Sequence, residues 1–189
     1  VNRDQSFNKN RLITSGFPRS GNVFLNYSFK CLYYPDKEVS PQTHVTNTFK
    51  ENTHVITPIR NPLDCISSWN LYQENFNYPR DLNKDITYYL RFYSYVLNNL
   101  TNILLLDFNV FKTDLDYITN KVFNFVNINP VKKVSLEVVK DTMIKDNKVD
   151  NLPRNNQLFL TEIKNTLQEI PQITECLNLY LELKEMEKK

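Results

Sequence analysis

The chain has 189 residues, of which 41% are hydrophobic and 13% aromatic, and its formal net charge is +2. That is enough apolar material for one globular domain with a substantial core, and too much for a disordered chain. The near-balance of charge argues against a nucleic-acid binder, and no apolar stretch reaches transmembrane length.

Cys31, Cys65 and Cys176 show no paired spacing. This argues against a disulfide framework and a zinc site, and predicts a cytoplasmic protein. No signal-peptide pattern opens the chain and no membrane contact is expected. One domain over residues 1–189 is predicted, with 1–10 frayed at the start and a charged helical tail, 182–189, frayed at the end.

In chain order, Arg11 to Phe17 reads as a first strand. It runs into a loop, Gly16-Phe17-Pro18-Arg19-Ser20-Gly21-Asn22, that contains both glycines of the chain. Alanine is absent throughout and asparagine is the commonest residue, so a glycine retained in such a composition marks a place where a side chain is not tolerated. A helix from Gly21 to Tyr34 follows. Strand, glycine loop and helix start together form an anion cradle, because backbone N–H groups and the helix N-terminus point at one place. Gly21 is expected where the backbone meets a phosphate, and Gly16 where folding needs a special backbone conformation. Taken alone, the loop fits an ordinary strand-to-helix turn with a surface Arg equally well.

Residues 35–52 read as loop, with a short strand near His44. His54 to Arg60 is an apolar strand in which Pro58 argues against a central position. Asn61-Pro62-Leu63-Asp64 opens the next helix: Asn61 as N-cap, Pro62 at the first helical position, Asp64 complementing the dipole. Residues 75–82 read as a polar loop. Ile86, Tyr89, Tyr93, Val96 and Leu100 then recur at helical spacing. Asn102 to Phe108 is a continuous apolar run, as a parallel strand buried on both faces requires. Thr113 and Asp116 resemble a capping box for a helix bearing Leu115, Ile118, Val122 and Phe125. A weakly patterned basic segment, 131–154, precedes helical signals that resume at Asn156 and break at Pro171. Strands alternating with helices predict an α/β fold with a central parallel sheet flanked by helices.

Two segments carry chemistry. The first loop has the G-x-x-x-x-G spacing of a nucleotide-binding loop. Asn22 and Val23, however, stand where Mg²⁺-ATP chemistry needs Lys and a hydroxyl residue. A cation is available within the loop at Arg19. The second segment is Arg60-Asn61-Pro62-Leu63-Asp64-Cys65-Ile66-Ser67-Ser68. Arg60 ends a strand, and Ser68 lies two turns into the helix on the face of Asn61 and Asp64. A phosphate beside that helix could meet the guanidinium at one end and the hydroxyl at the other. Both strands would end at one sheet edge, where open α/β sheets bind ligands. Cys65 reads as a small core residue.

These segments resemble the sulfotransferases that use 3′-phosphoadenosine 5′-phosphosulfate (PAPS). Pro18-Arg19-Ser20-Gly21-Asn22-Val23-Phe24-Leu25 is similar to that family's P-[KR]-S-G-T-T-W-L loop. Arg60-Asn61-Pro62-Leu63-Asp64 with Ser68 is similar to its R-N-P-x-D-x-x-x-S element. Asn102 to Phe111 and the following helix are similar to its apolar strand, acidic turn and helix. The resemblance covers most of residues 11–127 and implies the P-loop-NTPase-like sulfotransferase fold and PAPS as donor without a metal. It implies that Pro18, Arg19, Ser20, Gly21, Asn22 and Val23 hold the 5′-phosphosulfate, with Asn22 and Val23 replacing two hydroxyl residues. It further implies that Phe24 packs near the adenine and that Arg60 and Ser68 hold the 3′-phosphate. His44, in Gln42-Thr43-His44, matches the catalytic base of the family's K-T-H, with Glu38 and Glu51 as other possible bases. His54 reads as structural. The family's closing R-K-G element has no clear counterpart; Arg154 is the nearest candidate and also reads as a surface-loop residue.

The acceptor expected is a small molecule, carbohydrate or peptide, walled by residues 35–52 and 74–85. Two other functions remain open from sequence: a nucleotide or small-molecule kinase, and a non-catalytic nucleotide-binding module.

Overall fold

The computed structural model describes residues 13–33, 42–44, 54–148 and 156–188. The elements run β1 (Ile13–Ser15), α1 (Asn22–Tyr33), β2 (Gln42–Thr43), β3 (Val55–Ile59), α2 (Pro62–Asn75), α3 (Leu82–Leu97) and β4 (Ile103–Asp107). Then come α4 (Phe108–Phe111), α5 (Leu115–Val126), α6 (Leu136–Lys145), α7 (Gln157–Glu169) and α8 (Ile173–Glu187). The strands form one parallel sheet in the order β2-β1-β3-β4. The predicted α/β class therefore holds, with more helix than strand.

Strand alternation sorts the two faces. Val55 and Ile59 of β3, with Ile103 and Leu105 of β4, pack against Ile66, Tyr89, Tyr93, Leu167 and Leu183 from α2, α3, α7 and α8. Ile56 and Leu106 pack the other way, against Leu25, Phe29, Ile118, Val122 and Met143 from α1, α5 and α6. Burial on both faces is why these strands are mostly apolar. Each of the large buried side chains contributes roughly 1.5–3 kcal/mol.

Several local readings are corrected. β3 is central despite Pro58. The Ile13 N–H bonds to the His54 carbonyl, so the even-numbered backbone groups of β3 face β1. Pairing with β1 stops at Thr14 opposite Ile56, and Pro58 lies past it. The Tyr93 hydroxyl donates to the Pro58 carbonyl at 2.8 Å. The cap of α5 is Asp114, whose carboxylate accepts from the Tyr117 N–H at 3.1 Å, while the Thr113 hydroxyl turns back to Val110. The basic segment after residue 131 contains α6, capped by Ser135.

The tail expected to fray from Glu182 is docked through Glu187. Leu183 is buried, Lys184 pairs with the buried Asp107 at 2.6 Å, and Glu187 accepts from the Tyr117 hydroxyl at 2.6 Å. Residues 1–10, with Arg11 and Leu12 of the expected first strand, lie outside the described residues.

Because every strand is parallel, every strand ends at the same edge. The Gly16–Gly21 loop after β1, His44 after β2, Arg60 after β3 and Phe108 after β4 are thereby gathered at one rim of the sheet.

Candidate functional site

The loop after β1 is held open by its own polar groups. The Ser20 N–H and hydroxyl both donate to the Phe17 carbonyl, at 3.1 and 2.7 Å. The Asn22 amide fills the inside of the turn, donating to the Gly16 and Phe17 carbonyls, each at 3.0 Å. Asn22 is thus a brace of the loop. The groups left to meet an anion are the first N–H groups of α1, which have no acceptor within the helix.

Two residues carry the curvature, Arg19 at φ 64° and Gly21 at φ 106°. The special backbone expected of Gly16 belongs to Gly21. Gly21 is the one with the left-handed backbone, and a Cβ there would lie 2.5 Å from the Phe108 ring and 2.8 Å from Phe111. Gly16 needs no such backbone. A Cβ on it would meet Asn22 Oδ1 and Ser20 Oγ at 2.6 Å and Pro58 at 2.8 Å, so the polar bracing itself requires glycine.

The second segment locks onto the first. Asn61 caps α2, accepting from the Leu63 N–H at 2.9 Å with Pro62 at the helix start, as the sequence predicts. Arg60 donates through Nη1 to the Arg19 carbonyl at 2.7 Å, and its guanidinium lies 4.5 Å from the centre of the Phe108 ring. Arg19 Nε reaches Ser68 Oγ at 3.4 Å, and its guanidinium lies 5.6 Å from the centre of the Tyr72 ring. Ser68 is therefore next to Arg19, and the two phosphate segments form one surface. The Cys65 thiol donates to the Pro18 carbonyl at 3.2 Å. Burial pushes that thiol up to about 12, so it serves as a buried tie and not a nucleophile.

A cavity of about 420 Å³ opens at this rim. Pro18, Arg19, Gly21, Asn22, Val23, Phe24, His44 and Arg60 all line it, whereas Ser20 is buried behind the loop. Phe24 stacks on Phe111 with centroids 6.2 Å apart, leaving it as part of the wall. His44 Nδ1 lies 2.9 Å from the Gly16 carbonyl, with the Asn22 amide beside it at 3.4 Å. Two donors converge on one carbonyl only if Nδ1 carries the proton, which leaves the basic lone pair on Nε2. Burial lowers the His44 pKa, opposed in part by the Gly16 carbonyl, so the ring is neutral at pH 7. The Tyr88 hydroxyl donates to the His44 carbonyl and fixes the backbone there. His54 is not part of the lining and packs edge-on against Phe125.

Trp69, Tyr72, Phe108, Asn147 and Lys148 also line the cavity, and none was singled out by the sequence motifs. Asn147, at φ 55°, ends α6 in the left-handed cap conformation, and Lys148 N–H returns to the Met143 carbonyl at 2.8 Å. An amphipathic run followed by Asn is a local signal for that helix end. Its delivery to the cavity depends on Asp146, which takes bonds from Lys30 at 2.9 Å and Tyr27 at 3.1 Å on α1. Among the described residues the lining holds three cations, Arg19, Arg60 and Lys148, and no carboxylate. With the N-terminus of α1 this makes a positive pocket suited to phosphate or sulfate esters.

Arg154, Glu38 and Glu51 lie outside the described residues. Among the described residues, no group of three or more His, Cys, Asp or Glu side chains is placed to share a metal ion. No helix there is long and apolar enough to cross a membrane. No protein-family model and no curated protein matches the sequence.

Proposed function

We propose that the chain is a sulfotransferase, on the P-loop-like sulfotransferase fold, that moves the sulfuryl group of PAPS to an acceptor hydroxyl or amine. One observation carries this reading: Arg19, Arg60 and the start of α1 converge on a single cavity that His44 also lines. The residues fit a nucleotide phosphorylated at two positions. The Gly21 turn and the first N–H groups of α1 suit the 5′-phosphate, while Arg60 and the adjacent Ser68–Arg19 pair suit a 3′-phosphate. Phe24, backed by Phe111, offers a face to the base. Lys148 supplies a cation from the C-terminal part of the chain, where the family resemblance requires one.

In this reading His44 Nε2 takes the acceptor proton as the acceptor oxygen bonds to sulfur. The sulfur–oxygen bond to the 5′-phosphate breaks, and its electron pair stays on the phosphate. Arg19 and the loop N–H groups stabilise that growing charge without reorganising. The kinase alternative has no counterpart for the Lys and hydroxyl that would follow Gly21.

Labelled sulfuryl transfer from PAPS to an acceptor panel tests the activity. Donor selectivity tests the site independently. 3′-Phosphoadenosine 5′-phosphate should raise the melting temperature far more than ADP, with or without Mg²⁺. Arg60→Ala should remove most of that difference, a charge-assisted contact being worth roughly 1.5–3 kcal/mol. Equal stabilisation by ADP would sink the assignment.

A further inference from the structure

Beside the cationic wall stands a row of aromatic rings that the phosphate chemistry does not use. Trp69, Tyr72 and Phe76 recur on one face of α2, and Tyr78 follows in the turn beyond it. Trp69 and Tyr72 are nearly parallel with centroids 5.5 Å apart, Tyr72 and Phe76 are 4.7 Å apart, and Phe76 and Tyr78 are 6.2 Å apart. The row begins inside the cavity, which Trp69 and Tyr72 line, and ends in solvent. Phe76 is 44% exposed and Tyr78 56%, a costly placement for two large rings unless something covers them.

The inner end is held in place. Trp69 Nε1 donates to Asp85 Oδ1 at 3.2 Å, and the Asn70 amide donates to Asp85 Oδ2 at 3.0 Å. Asp85 is a buried carboxylate on α3, so a charged group has been placed in the interior to orient the indole. With its N–H committed, Trp69 offers a ligand only its ring.

We infer that this row is the acceptor subsite and that its occupant is an extended oligosaccharide, whose apolar pyranose faces lie along the rings and whose hydroxyls stay in water. The inference rests on the sulfuryl-transfer reading, because it places one sugar hydroxyl in the cavity that His44 lines. A small phenol calls for an enclosed apolar pocket, whereas this row leaves the cavity and continues into solvent at Phe76 and Tyr78. Along the outer rings a charged peptide is disfavoured, because Glu74 and Arg80, the charges that bracket Phe76 and Tyr78 in sequence, pair with each other at 3.3 Å. Sugars match an amphipathic surface of exposed planar rings, with binding enthalpy coming from stacking and hydroxyl hydration retained.

Trp69 is the only tryptophan in the chain, so its fluorescence reports on the row directly. The full chain would be titrated, without donor, with neutral hexasaccharides of glucose, N-acetylglucosamine, galactose and mannose. At least one should shift Trp69 emission saturably at roughly millimolar concentration or below. The Phe76→Ser/Tyr78→Ser variant, which changes only exposed rings, should weaken that binding at least about tenfold while keeping its melting temperature. No response to any hexasaccharide, a variant that binds as tightly as wild type, or a response only to a tyrosine peptide would each overturn the inference. Binding of 3′-phosphoadenosine 5′-phosphate is measured on the same samples. Its retention with failed sugar binding removes the acceptor class alone, and its absence removes the donor assignment.

Discussion

Gly21→Ala tests the architecture of the cradle most directly. The new methyl group would sit 2.5 Å from Phe108 Cδ2 and 2.8 Å from Phe111 Cζ, on a backbone at φ 106°. The left-handed backbone costs about 1–3 kcal/mol for a residue with a Cβ. Overpacking against two rings adds about 1–3 kcal/mol, since neither ring swings away easily. Phe108 is held under the Arg60 guanidinium, and its ring stands edge-on to Phe111 with centroids 5.5 Å apart. The expected total of about 2–6 kcal/mol lowers the melting temperature by roughly 4–24 °C for a chain of this size. A thermal melt followed by circular dichroism measures it. Repeating the substitution in a Phe108→Ala background separates the two causes. The contact with Phe108 disappears there while the contact with Phe111 and the backbone strain persist, so the Gly21→Ala penalty should shrink without vanishing. A Gly21→Ala protein that melts within about 1 °C of wild type would refute the reasoning.

The remaining expectations concern protons and turnover. Burial raises the Asp85 carboxyl from 3.8 to about 6, so between those values the folded protein holds this proton more tightly than the unfolded chain. Stability attributable to Asp85 is therefore full below pH 4, falls by about 3 kcal/mol as pH rises to about 6, and is level above. The wild-type-minus-Asp85→Asn difference in urea stability should show that slope, and a flat difference from pH 4 to 7 would contradict it. His44 sits below its ordinary value through burial, so the acid limb of the transfer rate should fall below pH 6.5. His44→Ala should lower turnover roughly 10²–10⁴-fold with nucleotide affinity nearly unchanged. Near-normal turnover of that variant would show that the proton goes elsewhere.

What the sequence revealed was local. The apolar run of β4, the Asn61-Pro62 start of α2 and the order strand, glycine loop, helix are each written in a few adjacent residues, and each is present. Pro58 misled because whether a strand tolerates proline depends on where its neighbour stops pairing, which no window of β3 contains. α6 was overlooked because only Val139 and Met143 of it are fully buried, too few to dominate a periodicity among so many lysines. Arg19 and Ser68 are 49 residues apart, and Lys148 is farther still from the loop it faces. Periodicity assigns each of them to a face of its own element and carries no information about which other face it will meet. The aromatic row was half legible: its helical spacing was there to read, but buried and exposed rings look alike in a sequence.

Arg60, gripping the Arg19 carbonyl and stacked on Phe108, has a kinetic consequence. The turn is already shaped when a ligand arrives, and the conformational freedom of Arg19 was given up during folding. Under the proposed reading, nucleotide association at this loop needs no ordering step of its own and is governed by diffusion and by attraction from the clustered cations. On-rates should be fast and fall with ionic strength, while differences between related nucleotides would be expressed in how long each one stays.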